Sequence, residues 1–243
     1  MPRRSRRQPR EDGFALIFTL LALVLLSALG TLLTLDTSLE ATIAGNYRET
    51  QEAFYAAEAG LERAMESLAT LPDWTSALDG SVQSSFSDGT PGGPRTLPGG
   101  GAIDLTALTN LANCRKTTVC TASEMNLSTA ERPWGANNPQ WRPFAYGSLR
   151  DLLPPGEPGL SAGSDSLYYT LVMVGDDPSE ADNDPLRDGG NLARLGAGVV
   201  LLRAEAFGPR GARRRIEATV ARGPGVGPGG AGIDVLSWRH VRD

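Results

Sequence analysis

Hydrophobic and polar positions divide the chain into stretches of different period. Phe14 to Leu35 is an apolar run of 22 residues without a charge. As a helix rising ~1.5 Å per residue it reaches roughly 33 Å, enough to cross a bilayer core of ~30 Å. From residue 36 to 71 the pattern becomes that of an amphipathic helix. Phe54, Ala57, Leu61, Met65 and Leu68 recur at helical spacing and form one apolar face. Glu58, Glu62 and Glu66 stack at i, i+4 on another face, where like charges repel weakly. That stripe is either a solvated face or a strip that meets basic residues of a neighbouring subunit. Gly45-Asn46 is a candidate weak point, because Gly in a helix costs about 1 kcal/mol relative to Ala. Leu71 precedes Pro72, and the residue before a proline is pushed out of the α region, so the helix ends there.

Beyond the helix the pattern is irregular and then turns to strands. Residues 72–101 carry turn and linker chemistry, with Gly89-Thr-Pro-Gly-Gly-Pro94 and Pro98-Gly-Gly-Gly101. Residues 102–113 show a short apolar pattern that fits a helical turn. A sheet is expected to begin with Leu167 to Val174. Val199 to Phe207, the turn Gly208-Pro-Arg-Gly-Ala212, and Arg213 to Ala221 read as a hairpin. Pairing Phe207 with Arg213 sets Glu205 opposite Arg215 and Arg203 opposite Glu217, two opposite-charge pairs each worth roughly 0.2–1 kcal/mol. The same register gives Val200, Leu202, Ala204, Ile216, Ala218 and Val220 to the other face. A one-residue slip would destroy both patterns. Gly223 to Gly232 reads as a flexible crossing, and Ile233 to Val241 as a closing strand whose Trp238 is available to pack on the helix.

Charge orients the apolar run. The 243 residues carry a formal charge of −5. The first thirteen hold Arg3, Arg4, Arg6, Arg7 and Arg10 against Glu11 and Asp12, so their removal shifts the remainder to −8. The arginine excess keeps the N-terminus in the cytoplasm and sends the C-terminus across the membrane. An acidic exported domain is a poor nucleic-acid binder. Three readings of the N-terminus compete. A cleaved secretory signal has an apolar core of ~7–15 residues followed by small residues at the cut, and here the core runs on into Leu35-Asp36-Thr37. A plain signal anchor is the second reading. A leader cut on the cytoplasmic side after Gly13 is the third.

The third reading rests on resemblance. Gly13 followed by Phe14 and an uninterrupted apolar helix resembles the prepilin peptidase site of type IV pilins. Ser38-Leu39-Glu40, Ile43-Ala44-Gly45-Asn46-Tyr47-Arg48 and Ala53-Phe54-Tyr55-Ala56-Ala57-Glu58-Ala59-Gly60-Leu61 resemble the N-terminal region of PilX-type minor pilins. The likeness covers about residues 10–66, and the later pieces are more specific than the leader. Major pilins carry a glutamate at the fifth residue after the cut, where this chain has Phe18. PilX-type proteins and the tip pseudopilins of type II secretion often lack it, so the departure fits a minor pilin.

Candidate chemistry beyond this is sparse. Cys114 and Cys120 have five residues between them and no nearby His, which is not zinc-finger spacing. In an oxidising periplasm they are expected to close a small disulfide loop stabilising by ~2 kcal/mol, the alternative being two free buried thiols. Trp134 and Trp141 flank Pro139 in a polar stretch, with core packing and a partner-binding patch both open. The single histidine, His240, has no convincing catalytic partner in sequence. No P-loop, nucleophile elbow or zinc motif is present, and no cofactor is expected. An acidic loop carries Asp176, Asp177, Glu180, Asp182, Asp184 and Asp188. Asp176, Glu180, Asp182, Asp184 and Asp188 are a weak calcium candidate. The loop lacks the EF-hand order, and a solvated loop between strands is the favoured explanation.

The expected fold is α+β and pilin-like, a long N-terminal helix, half membrane-embedded and half amphipathic, packed on a small antiparallel β-sheet. Residues 1–13 are the expected cytoplasmic leader, cleaved between Gly13 and Phe14, and 14–71 the pilin helix, with 14–35 across the membrane. Residues 72–243 are the expected periplasmic domain, irregular over 72–166 and sheet over 167–243. The resemblance implies a non-enzymatic minor pilin that helps initiate or cap a type IV pilus. Its location would be the inner membrane, with the C-terminus in the periplasm, and then the pilus near its tip. Implied partners are other minor and major pilins, the prepilin peptidase, an inner-membrane assembly platform and inner-membrane lipid, with a large tip adhesin as a further candidate and no nucleic acid. The alternatives are a tip pseudopilin of type II secretion, or an uncleaved membrane-anchored periplasmic adhesin or binding protein.

Overall fold

The structure, a computed structural model, describes residues 12–152, 165–180, 182–189, 198–224 and 231–241. The arginine-rich residues before Asp12 therefore lie outside the described residues. The chain divides into two compact units between Arg48 and Glu49. One helix, α1 (Asp12–Ala69), supplies all the described structure of the first unit and continues into the second. It passes through Gly45-Asn46 without a break, so that pair does not interrupt it.

In the first unit every residue from Phe14 to Leu35 is exposed. This part of α1 is long and apolar enough to cross a membrane. A helix suits such surroundings because its backbone polar groups satisfy one another. The threonine hydroxyls in the apolar stretch are satisfied within the helix as well. Thr19, Thr31 and Thr34 donate to the carbonyls of Leu16, Ser27 and Thr31 at 2.8–2.9 Å.

In the second unit α1 ends at Ala69, two residues before the expected stop. Its last turn is held from outside. The Trp74 indole donates to the Leu68 carbonyl at 3.0 Å, and Arg222 donates to the Leu71 carbonyl while lying 4.7 Å over the Trp74 ring. A one-turn helix α2 (Thr75–Leu78) follows. The strands β1 (Pro94–Thr96) and β2 (Ala102–Asp104) make a small ribbon. Helix α3 (Leu105–Cys114) starts where the Asp104 side chain accepts from the Ala107 amide, and a single turn, α4 (Ala122–Met125), comes after it.

The main sheet is an antiparallel meander of β3 (Arg142–Ser148), β4 (Tyr169–Asp176), β5 (Val199–Phe207), β6 (Arg213–Pro224) and β7 (Ala231–Val241), in that spatial order. The expected hairpin register is observed: Phe207 pairs with Arg213, Glu205 with Arg215 and Arg203 with Glu217. Three boundaries differ from expectation. Strand β4 both starts and ends two residues later than its apolar pattern, beginning at Tyr169 opposite Phe207 and ending where Gly175 and Asp176 still pair with Leu201 and Val200. The supposed crossing after Gly223 is partly strand, with Gly223 and Pro224 paired to Gly232 and Ala231, while residues 225–230 lie outside the described residues. Strand β3 is an addition, bulged between Pro143 and Ala145 within a stretch that reads as irregular.

The sheet is covered on both faces where β4 runs, and all eight residues of β4 are buried. One face carries Val172, Val174, Val200, Leu202, Ala204, Ile216, Ala218 and Val220 and packs against Ala53, Ala57, Leu61, Ala64 and Leu68 of α1. The contact side of α1 is rich in small residues, which lets the backbone come close. At Gly60 a β-carbon would stand 3.1 Å from the Thr170 side chain. The periphery of the contact is aromatic, with Phe54 edge-on to Trp238 at 5.7 Å and to His240 at 6.0 Å. The other face holds Tyr146, Tyr169, Leu171, Met173 and Phe207 under Leu105 and Ala112 of α3.

On that second face, beyond α3, lies the charged half of the hairpin. Glu205 is only 1% exposed. Its carboxylate accepts from Arg203 at 2.9 Å, Arg215 at 2.8 Å and Arg213 at 2.5 Å. Arg239 of β7 extends the ladder by pairing with Glu217. Burial alone would raise the Glu205 pKa, but Arg203, Arg213 and Arg215 outweigh it and hold the group below the ordinary carboxylate value. A depressed folded pKa contributes stability above the unfolded-chain value, and that contribution is lost as pH falls through the folded one. Glu205→Gln would leave three cations around a neutral amide. We expect it to lower stability at neutral pH by about 3–5 kcal/mol in denaturant unfolding. The gap to the parent should shrink on acidification, and a gap that is constant with pH would count against the assigned role.

Candidate functional site

Three places collect the residues that the sequence marks. The first is the start of α1. Gly13 is helical, and the residue that follows it, Phe14, is 67% exposed. Phe18, one turn on, is 58% exposed and meets Phe14 edge-to-face at 4.8 Å. A four-residue spacing puts both rings on one side of the helix. The apolar surface continues from there, with Leu21, Leu25, Leu29 and Leu32 exposed along the same run. No charge interrupts it before Asp36. The chemistry of this segment is that of a surface requiring an apolar neighbour, lipid or another helix.

The second place is the end of α3. Cys114 is the last residue of that helix, and the chain leaves it through Arg115, a left-handed residue at φ 58°. That reversal brings Cys120 back, with the two Cα atoms 6.0 Å apart, within the usual disulfide range. Lys116, within the loop, pairs with Glu124, whose carboxylate also accepts from the Thr121 amide and hydroxyl. A groove of about 1030 Å³ opens between α3, the chain around Trp134, and the Glu205 ladder. Of the two tryptophans flanking Pro139, Trp141 is buried against the sheet and Trp134 is half-exposed at this groove. The Trp141 backbone is pinned by Asn113, whose side chain both donates to its carbonyl and accepts from its amide.

The third place is the acidic segment after β4. Asp176, Glu180 and Asp182 converge, each with a carboxylate oxygen within 4.8 Å of the others. Asp176 is the last residue of a buried strand and is 4% exposed; Glu180 is 6% exposed. Burial pushes the Asp176 carboxyl up to about 8, and the neighbouring charges of Glu180 and Asp182 add to this. Burial also pushes Glu180 up to about 7, against the Gly189 amide that donates to it at 2.7 Å. The other two acids of the calcium candidate have different partners. Asp184 pairs with Arg187 at 3.4 Å, and Asp188 accepts from the Gly198 amide at 2.5 Å. The narrower trio is not legible in the sequence, because it depends on β4 carrying Asp176 inward.

Residues 12–62 match the family described as PilX N-terminal. The family is a structural, non-catalytic one. The matched segment is the larger part of α1, from its first residue to two residues past the close approach at Gly60. No curated protein and no solved structure matches the chain.

The cysteine geometry generates a direct expectation. Alkylation of the denatured protein, recovered from an oxidising compartment, should add no mass without reductant and two alkyl groups after reduction. Two alkylated thiols without reductant would dismiss the Cys114–Cys120 bond.

Proposed function

We propose that the chain is a minor pilin of the PilX type, a non-enzymatic subunit that helps initiate or cap a type IV pilus. The observation that carries this reading is the PilX N-terminal match over residues 12–62, lying on a helix whose first 22 residues from Phe14 are uncharged and exposed. On this reading the prepilin peptidase removes residues 1–13, and the new terminus is a methylated Phe14. The apolar half of α1 waits in the inner membrane with the C-terminal unit in the periplasm. During assembly it exchanges lipid contacts for packing among the helices of neighbouring pilins, supported by the inner-membrane platform. A tip pseudopilin of type II secretion is less well supported. Such proteins usually carry a large helical insertion, and between residues 72 and 152 the helices have only four, ten and four residues.

Phe18 gives the reading a physical rationale at the filament end. In a major pilin the glutamate at this position is buried in the helix bundle and compensated by the terminal amine of a neighbour; a buried carboxylate without such a partner is costly. Phe18 makes no such demand, so the subunit suits a place where that neighbour is missing, and a large adhesin is a candidate companion there.

Processing is the primary test. Terminal sequencing of the mature protein should begin at Phe14, and an intact leader supports the uncleaved anchor instead. Gly13→Ile, which sets a β-branched side chain at the scissile bond, should leave a longer inner-membrane precursor and abolish pili. A mature-length product from that variant would reject the leader assignment.

Position in the filament is tested at Phe18. A charged residue at mid-membrane costs roughly 2.5–3.5 kcal/mol and less near the edge, so Phe18→Glu should still insert. It should give fewer and shorter pili, or immunogold signal spread along the shaft, while Phe18→Leu keeps the parental pattern. Equal effects of the two variants mean that Phe18 acts by packing alone.

A further inference from the structure

We propose that Asp176, Glu180 and Asp182 bind one calcium ion at the end of β4. Their convergence has the dimensions of a coordination shell. Oxygens about 2.4 Å from a calcium ion are at most about 4.8 Å from one another. One carboxylate oxygen from each of the three residues meets that limit.

The site also shows a deficiency that an ion would correct. Asp176 and Glu180 are both more than nine-tenths buried. Asp176 Oδ1 and Glu180 Oε1 have no hydrogen-bond partner. Buried polar atoms are nearly always partnered, and a buried carboxylate without a counter-charge is disfavoured more strongly still. Among the described residues no Lys or Arg is paired with either group. Of the basic groups along the segment, Arg187 pairs with Asp184, and Arg222 donates through Nη1 to the Leu71 carbonyl and lies over the Trp74 ring, with its Nη2 unpartnered. The remaining acids of the segment do not relieve the trio. Asp177 is engaged by Ser179, and Asp188 by Gly198.

The backbone holds the arrangement rather than letting Glu180 swing to water. The Gly189 amide donates to Glu180 Oε2, and a β-carbon at Gly189 would lie only 2.3 Å from that oxygen. Asp182 is half-buried and provides the solvent side through which an ion enters.

The donor set selects the ion. Three carboxylates without histidine or thiolate favour a hard cation over zinc or copper. One donor ends a strand, one ends the 3-10 turn Pro178–Glu180 and one lies on irregular chain, a mixed geometry that suits the loose six- to eight-oxygen shell of calcium. Magnesium demands a near-octahedral shell and keeps several of its waters. Backbone carbonyls and water would complete the calcium shell, and the ion would hold all three carboxylates ionised at a net charge of minus one.

The test uses the full-length chain in detergent micelles, stripped with EGTA and dialysed. Calorimetric titration with CaCl2 should show saturable binding of one ion per chain, with a Kd of about 10⁻⁵–10⁻³ M. At a hundredfold excess over Kd the Tm should rise by roughly 5–10 °C. Asp176→Asn removes the buried charge while keeping its shape. It should weaken calcium binding by about tenfold or more without lowering the Tm measured in EGTA. Should that variant not fold, Asp182→Asn at the rim is expected to lose affinity in the same way. Asp184→Asn, outside the trio, should bind as the parent does. No saturable binding by about 10 mM CaCl2, well above the weakest extracellular sites, overturns the proposal. Parental affinity in Asp176→Asn also overturns it, and an equal response to MgCl2 overturns the assignment to calcium.

Discussion

Strand β4 is buried at all eight positions, and a strand buried on both faces needs two covering layers. The rest of the C-terminal unit follows from meeting that need with few residues. On one side the cover is the last third of α1, which approaches closely because Ala53, Ala57, Gly60 and Ala64 present almost no side chain. On the other side it is α3, held in place by the Asp104 cap and by Asn113 on the Trp141 backbone. The close approach also explains the repeated alanines in the Ala53–Leu61 segment in mechanical terms. A larger residue at Gly60 would meet Thr170 before the neighbouring aliphatic side chains could interdigitate.

Where α3 stops, the second face of the sheet must be compatible with water, and Glu205 with its arginines provides the transition. The carboxylate is desolvated but surrounded by three guanidinium groups, each of which retains contact with solvent or an aromatic ring. Arg213 lies over Phe207 and Arg203 over Trp141. Guanidinium suits this role better than an ammonium, since it is weakly hydrated and stacks on rings.

The hairpin of β5 and β6 was legible in the sequence because two independent patterns, apolar on one face and alternating charge on the other, agree on a single register. The apolar face of α1 was legible for a similar reason, since its period is unbroken. Strand β3 was not, because Pro143 and the bulge after it hide a two-residue period, and β1 and β2 are only three residues long among glycines and prolines. The fates of Trp134 and Trp141 could not be separated by composition; Asn113, 28 residues away, holds the backbone of the buried Trp141. The acidic segment presents a further limit. Six acids within thirteen residues read as a solvated loop, and only the two extra residues of β4 turn the first of them inward. The Phe14 to Leu35 run stands apart from these cases, since its length and lack of charge speak directly to the thickness of a bilayer.

The strand register also orders the charges lengthwise. Asp176 pairs with Val200 at one end of β4, with Glu180 and Asp182 beside it, while Tyr169 pairs with Phe207 at the other end, next to Arg213, Arg214 and Arg215. The sheet thus has an acidic end and an arginine-rich end whose charge Glu205 partly offsets, about seven residue rises apart, or roughly 23 Å at strand spacing. That separation exceeds the screening length of ~8 Å in physiological salt, so an approaching charged surface feels one pole before the other. The result is a torque as well as an attraction. A charged neighbour would meet this unit partly turned, its approach biased by the electrical polarity of the sheet before any side chains touch.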